Sequence, residues 1–334
     1  HSTNEDPTIS SNTRILNWLI TDANSDGMGA EVSSTFNSTI NIIPLNDNPT
    51  ITANGTLEYT ENDNAMIIDD SIDIGDVDDT HISSAIVSIS SNFTLGDMLS
   101  FFDQNGITGS YDNSTGILIL NGVATERNYE IALESVTYYS TSEDPTFISN
   151  GRSIYWTVTD ANSDGVGSAS SANATSSITI IPTTDTPLII AGNLVNYIEN
   201  DDPIIIDNTI TISDEDDTEL SGATVYTGDG INNEFIGDIL SLTSQNGISG
   251  IYDEITGKLT ITGIATISDY QTALRSITFH STNEDPTNNQ GSVSSFLYRT
   301  ITWRVTDGDS ENLGSENSLT DQSTINITPL NDPP

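Results

Sequence analysis

The sequence contains no cysteine. Disulfide frameworks, thiol catalysis and cysteine-ligated zinc or iron centres are therefore excluded. Positive charge is nearly as scarce: seven Lys and Arg stand against 49 Asp and Glu, for a formal net charge of −42. A field of that sign repels phosphate backbones and anionic headgroups, which removes nucleic acid and lipid surfaces as partners. No apolar run approaches the ~18 residues needed to span a bilayer, so direct membrane insertion of this segment is not expected. Only three His occur, and there is no Gly-x-Ser-x-Gly elbow, His-Glu-x-x-His pair or phosphate-cradling glycine loop. With carboxylates so abundant, pairs suited to glycosidase chemistry arise by composition alone. A non-enzyme is the expectation.

Low hydrophobicity with high charge often means disorder. Here 34% of the 334 residues are hydrophobic, and they fall in alternating runs. Ile154-x-Trp156-x-Val158 and Ile301-x-Trp303-x-Val305 place large apolar groups on one face, as half-buried strands require. Asp112–Gly116 and Asp253–Gly257 lead into Ile117–Leu120 and Leu259–Ile261, which reads as a hairpin. A short helical turn is expected at Asn128–Glu134 and at Asp269–Arg275, where Tyr129/Leu133 and Tyr270/Leu274 fall four apart. Many short strands between Gly, Asn and Asp turns predict an all-β fold of tandem antiparallel Greek-key β-sandwiches.

Self-similarity sets the organisation. Glu61-Asn62-Asp63 returns as Glu199-Asn200-Asp201, and Gln104-Asn105-Gly106-Ile107 as Gln245-Asn246-Gly247-Ile248. Glu5-Asp6-Pro7-Thr8 returns at Glu143–Thr146 and Glu284–Thr287. Trp18, Trp156 and Trp303 are each followed four residues later by Asp22, Asp160 and Asp307, and all three Trp are expected in the core. Proline-bounded linkers at Pro44–Pro49, Pro182–Pro187 and Pro329–Pro334 close the units. The predicted phasing is the C-terminal part of one repeat at 1–47, a full repeat at 48–185 and another at 186–334. The chain opens on His1, inside a repeat and without a basic-then-apolar leader, so the parent protein is expected to continue upstream.

Strand direction turns these spacings into places. A first strand running from Pro49 to Thr60 covers about 33 Å and delivers Glu61 to the far end of its sandwich. The returning strand through Ile67, Ile68, Ile72 and Ile74 brings Asp76, Asp78 and Asp79 beside the linker at Asn46-Asp47. The same logic sets Asp214, Asp216 and Asp217 beside Asp185, while Glu143-Asp144 joins Glu61. Five or six carboxylates in one place repel unless a cation neutralises them, and hard oxygen donors suit calcium.

That order of motifs resembles the calcium-binding scheme of cadherin repeats, and the wording of the repeat, including Thr-Gly-x-Leu and Tyr-x-x-Ala-Leu, is similar to cadherin-like modules of large bacterial surface adhesins. The resemblance covers essentially the whole chain and implies an extracellular, calcium-stiffened string of sandwiches. By position it implies Glu5, Asp6, Asn46, Asp47, Asp76 and Asp78 at a first junction. At a second it implies Glu61, Glu143, Asp144, Asp185, Asp214 and Asp216. The linker Thr183-Thr184-Asp185-Thr186 departs from the Asn-Asp pattern, and Glu-Asp-Pro stands where cadherins carry Asp-Arg-Glu.

A second candidate is the loop Asp22-Ala-Asn24-Ser-Asp26-Gly27, repeated as Asp160-Ala-Asn162-Ser-Asp164-Gly165. It matches the first half of an EF-hand loop, but its twelfth position is Ser33 or Ser171. The alternative is an Asx-rich hairpin turn. For function two classes stay open: a cell-surface adhesion stalk, or a self-assembling subunit of an extracellular filament or surface layer. Partners in either case are neighbouring repeats of the same chain or other copies of it; the distal ligand is not encoded here. Six Asn-x-Ser/Thr sequons, starting with Asn37 and Asn54, fit a secreted chain.

Overall fold

The computed structural model describes residues 2–163, 165–228, 230–231, 235–287, 297–310 and 312–331. Contacts divide it into two units, His1–Ile181 and Pro182–Pro334. Unit 1 begins with a hairpin of β1 (Thr13–Trp18) and β2 (Phe36–Asn41). It continues with β3 (Thr50–Thr52), β4 (Thr56–Thr60), β5 (Met66–Ile67), β6 (Asp73–Gly75), β7 (His81–Ser91), β8 (Asp97–Ser100), β9 (Thr108–Asp112) and β10 (Ile117–Thr125). Helix α1 (Glu126–Glu134) then leads to β11 (Thr137–Ser140), β12 (Gly151–Asp160) and β13 (Ala174–Ile181). One sheet has the order β4-β13-β12-β7-β10-β9, the second β5-β11-β8, and β3 pairs with β6.

Unit 2 repeats this plan. Its strands are β14 (Leu188–Ile190), β15 (Leu194–Ile198), β16 (Ile204–Ile205), β17 (Thr211–Ser213), β18 (Glu219–Thr227), β19 (Asp238–Ser241), β20 (Ser249–Asp253) and β21 (Lys258–Thr266). Helix α2 (Ile267–Arg275), β22 (Thr278–Ser281), β23 (Tyr298–Asp307) and β24 (Asp321–Thr328) complete it. The sheets run β15-β24-β23-β18-β21-β20, β16-β22-β19 and β14-β17. The fold is thus an all-β sandwich, Greek-key in connectivity, in each unit.

Alternation builds the cores. Along β12, Arg152, Ile154, Trp156, Val158 and Asp160 are buried, while the residues between them face out. Trp156 packs in one cluster with Tyr59, Val87, Leu99, Leu133 and Tyr138, drawn from both sheets and α1. Tyr59 and Tyr138 meet edge to face at 5.1 Å. The helices extend to nine residues each, capped by the Thr125 and Thr266 hydroxyls, which accept from the Asn128 and Asp269 N–H groups.

Two expectations are corrected. The strand from Pro49 to Thr60 is broken, because the Asn54 and Gly55 N–H groups turn to donate to Asp69 Oδ2 at 2.9 and 2.6 Å. A Cβ on Gly55 would lie 2.6 Å from the Asp69 carboxyl carbon, so only glycine fits that approach. Past this break β4 pairs with β13 in parallel, as β15 does with β24 in unit 2, whereas the other strand pairs are antiparallel. The returning strand is likewise split into β5 and β6 around Asp69, and its Ile67 is exposed. Second, Trp18 is not a core residue. Trp156 and Trp303 are fully buried, but Trp18 is 55% exposed, because β1 and β2 pair only with each other. No third strand or opposing sheet covers that hairpin among the described residues.

Candidate metal centres

The chain leaves β6 at Gly75, and Asp76, Asp78 and Asp79 follow at once in the turn before β7. Asp76 Oδ1 accepts from the N–H groups of Asp78 and Asp79 at 3.2 and 3.3 Å, which curls the turn onto its own carboxylate. The Asp76 N–H is held in turn by Glu126 of α1 at 2.8 Å. β12 arrives antiparallel to β7, pairing Asp160 with Ile82, so the end of the Trp strand meets this turn. One carboxylate oxygen from each of Asp76, Asp79 and Asp160 lies within 4.8 Å of the others. The linker closes on the same place. Asp47 N–H donates to Asp78 Oδ2 at 3.0 Å, and Asn46 Nδ2 donates to Asp160 Oδ2 at 3.1 Å.

Unit 2 gathers Asp214, Asp216 and Asp217, the repeat positions of Asp76, Asp78 and Asp79, with one carboxylate oxygen of each within 4.8 Å of the others. The Asp185 N–H donates to Asp216 Oδ2 at 2.9 Å, and the Ser310 N–H, just past β23, to Asp217 Oδ1 at 3.1 Å. Asp217 and Asp307 are almost completely buried. Their oxygens Asp217 Oδ2 and Asp307 Oδ1, with Asp214 Oδ2 and Asp216 Oδ1, have no hydrogen-bond partner. Buried acceptors without donors are costly, and charged ones more so.

Electrostatics follows the geometry. Burial, with the neighbouring Asp78 carboxyl, raises Asp76 to about 6. Burial and Asp216 push Asp214 to about 8, and burial with the charges of Asp217 and Asp216 raises Asp307. These carboxylates resist ionising together, because burial and the neighbouring carboxylates disfavour the charged form. Among the described residues the ion pairs are Arg127–Glu130, Arg152–Asp97 and Arg299–Asp238, none of them at either cluster. A bound divalent cation would reverse the shifts, and all-oxygen donors with backbone support suit calcium.

The remaining candidates are placed as follows. Glu5 and Asp6 line a cavity of about 530 Å³ together with Asp47 and Asp78, and Asp6 Oδ1 accepts from the Thr8 N–H and hydroxyl at 2.9 and 2.8 Å. Glu61 is buried at the end of β4, its N–H donating to Ile181 O at 2.9 Å. Glu143 is exposed and Asp144 accepts from Thr146. Of the second set, Asp185, Asp214 and Asp216 come together within unit 2, whereas Glu61, Glu143 and Asp144 belong to unit 1.

In the Asp-x-Asn loops the oxygens serve their own backbone. Asp22 Oδ1 accepts from the Asn24 and Glu31 N–H groups, Asp26 Oδ1 from Met28, and Asn24 Oδ1 from Gly29 at 2.6 Å. Asn162 and Asp309 repeat the last bond to Gly167 and Gly314, each from a left-handed φ. Asp164 lies outside the described residues. The sequence reading kept Asp160 in this loop and apart from Asp76. The missed signal was parity: Trp156, Val158 and Asp160 share one face, so an inward carboxylate had to close that end of the sandwich. Asp307 follows Trp303 in the same way.

No protein-family model matches the chain. In an alignment 168 positions long that covers 41% of the chain, it is 24% identical to Halomucin of Haloquadratum walsbyi, of which it spans 2%. Its structure is similar to cadherin extracellular repeats. Domains 1–5 of protocadherin gamma B2 match 96% of the chain over 47% of their own, at 13% identity and a TM-score of 0.37. Domains 1–3 of mouse protocadherin-24 match 94% over 80%, at 14% and 0.32. Domains 1–4 of Drosophila N-cadherin match 95% over 59%, at 11% and 0.23. Among the described residues no helix is long and apolar enough to cross a membrane.

Proposed function

We propose that this chain is a non-catalytic, calcium-binding repeat region of a large extracellular surface protein, acting as a spacer or stalk in adhesion. The observation that carries this reading is the set of buried, partnerless carboxylate oxygens at Asp214, Asp216, Asp217 and Asp307, with no ion pair to any of them among the described residues. A divalent ion supplies the missing charge and crosslinks what it touches. In unit 1 the residues that would hold it are Asp76, Asp78, Asp79 and Asp160 with the Asn46 side-chain oxygen, and Glu5 and Asp6 from the cavity they share with Asp47 and Asp78. In unit 2 they are Asp214, Asp216, Asp217 and Asp307, with Asp185. Each cluster already ties a linker segment to its own unit by hydrogen bonds, Asp47 N–H to Asp78 and Asn46 Nδ2 to Asp160 in unit 1 and Asp185 N–H to Asp216 in unit 2. A cation there would turn these bonds into a clamp and stiffen the string of repeats. Calcium titration calorimetry on the full chain tests this, with small-angle scattering in calcium and in chelator. The expected result is millimolar-range binding and a longer, stiffer particle in calcium; no heat and an unchanged maximum dimension would remove the proposal.

Self-assembly into a filament or surface layer is the second reading, favoured by the exposed Leu16, Trp18, Phe36 and Ile40 on the β1–β2 hairpin. Negative-stain images distinguish isolated rods from ordered fibres or lattices.

A further inference from the structure

Three of the seven basic residues perform one task. Arg152 is fully buried; its Nη2 donates to Pro145 O at 2.7 Å and its Nη1 to Ser149 O at 2.6 Å. Arg299 Nη2 donates to Pro286 O at 2.7 Å. Arg14 does the same on the exposed hairpin: Nη2 to Pro7 O at 2.6 Å, Nη1 to Ser11 O at 2.6 Å and to Thr13 O at 3.0 Å. In each case the proline is that of the Asp-Pro-Thr turn. Arg152 and Arg299 also pair with Asp97 and Asp238, but Arg14 makes no ion pair among the described residues. A guanidinium in a chain of net charge −42 has carboxylates in abundance to choose from. That Arg14 faces three carbonyls instead, with the same proline partner as its two buried counterparts, marks the loop as its target.

We infer that Arg14 is a positioning residue for the acidic turn Glu5-Asp6-Pro7-Thr8: its fork pins the loop and so sets Glu5 and Asp6 around the cavity they share with Asp47 and Asp78. The inference rests on the calcium reading above and deepens it. A planar fork can bind two carbonyls in fixed directions, whereas an ammonium acts as a point charge. Arg14→Lys therefore keeps the charge and loses the geometry. Because Arg14 is exposed, neither Arg14→Lys nor Arg14→Met disturbs a core.

The test uses the full chain as wild type, R14K and R14M. Hydrogen exchange in chelator reads the loop without metal, and calorimetry with calcium chloride reads the site. In both variants faster exchange over residues 2–13 is expected, with an affinity loss of about tenfold confined to one class of sites. Unchanged exchange and unchanged affinity would overturn the clasp. A tenfold loss in R14M that R14K restores would also overturn it, by showing charge rather than geometry at work. If the wild type takes up no calcium while the variants exchange faster, the calcium reading fails and the ligand-positioning role fails with it, leaving the clasp as a loop support.

Discussion

The hairpins β1–β2 and β12–β13 have the same register and opposite surroundings. Arg14 faces Ile40 and Trp18 faces Phe36, as Arg152 faces Ile178 and Trp156 faces Ala174. In both, the indole N–H donates to a serine hydroxyl at 2.9 Å, Ser38 or Ser176. Only in the second does the chain of bonds continue, from the Ser176 hydroxyl to buried Asp69 at 2.8 Å. Trp18 stays exposed while Trp156 is sealed. The difference separates what about thirty residues encode locally, the ladder, the tryptophan–serine bond and the arginine clasp, from what needs β4, β7 and the second sheet. Burial is the contribution of the rest of the sandwich.

The largest expected effect breaks the core without touching the ladder. Trp156→Ala should destabilise unit 1 by about 3–5 kcal/mol in denaturant unfolding, from lost transfer energy and the cavity left behind. Trp18→Ala should leave the transition within about 0.5 kcal/mol. Equal effects would show that the hairpin is packed in solution. Arg152→Met comes next, at about 3–5 kcal/mol, because it strands buried Asp97, which also accepts from the Tyr138 hydroxyl at 2.6 Å. Arg14→Met, with no buried partner to strand, should leave core stability unchanged.

How much of this was legible in the sequence depends on range. Period-two alternation located β12 and β23, and the four-residue spacing of Tyr129 and Leu133 located α1, because side-chain parity is a local property. The linker acids were placed beside the turn after β6 by strand direction alone, and Asp47 does contact Asp78. The broken first strand was not legible. It depends on Asp69, fourteen residues beyond Gly55, drawing backbone N–H groups out of the ladder. The exposure of Trp18 was hidden for the same reason: its sequence is that of a core strand, and among the described residues β1 and β2 pair only with each other.

The relay under the buried tryptophans gives a pH test of middling size. Burial alone would raise Asp207, but the Ser323 and Thr209 hydroxyls and the Asn193 and Thr209 N–H groups outweigh it and hold the carboxyl at about 2, below the ordinary 3.8. Asp69 is lowered in the same way in unit 1. A depressed folded-state pKa stabilises above the unfolded value and is lost as pH falls through the folded one. Asp207 should therefore contribute about 2 kcal/mol at pH 5 that disappears towards pH 2, and Asp207→Asn should flatten that limb of the curve. Among the described residues no carboxylate accepts from the Ser38 hydroxyl, so exchange protection of the β1–β2 ladder should not follow this limb.

The smallest effect sharpens the comparison at the loops, where Asp22 and Asp307 hold the same repeat position. Asp22 is exposed, and its Oδ1 is bonded to local N–H groups; Asp307 is buried, with one oxygen unpartnered. Asp76, Asp214 and Asp307 are all raised, the first two to about 6 and about 8. A carboxyl with a raised folded-state pKa is favourable while protonated and costs stability as pH rises through that value. In chelator, stability should thus fall between about pH 4 and pH 8, the reverse of the Asp207 limb. Calcium at ten times its dissociation constant should return roughly 1.4 kcal/mol per site at pH 7 and offset part of the decline. Asp307→Asn removes one repelling charge and one donor oxygen. It should raise the melting temperature of unit 2 in chelator and abolish most of the calcium increment, so the two conditions move in opposite directions. Asp22→Asn should change neither. If Asp307→Asn lowers stability equally with and without calcium, the buried acids serve packing alone, and their missing partners are not a cation's place.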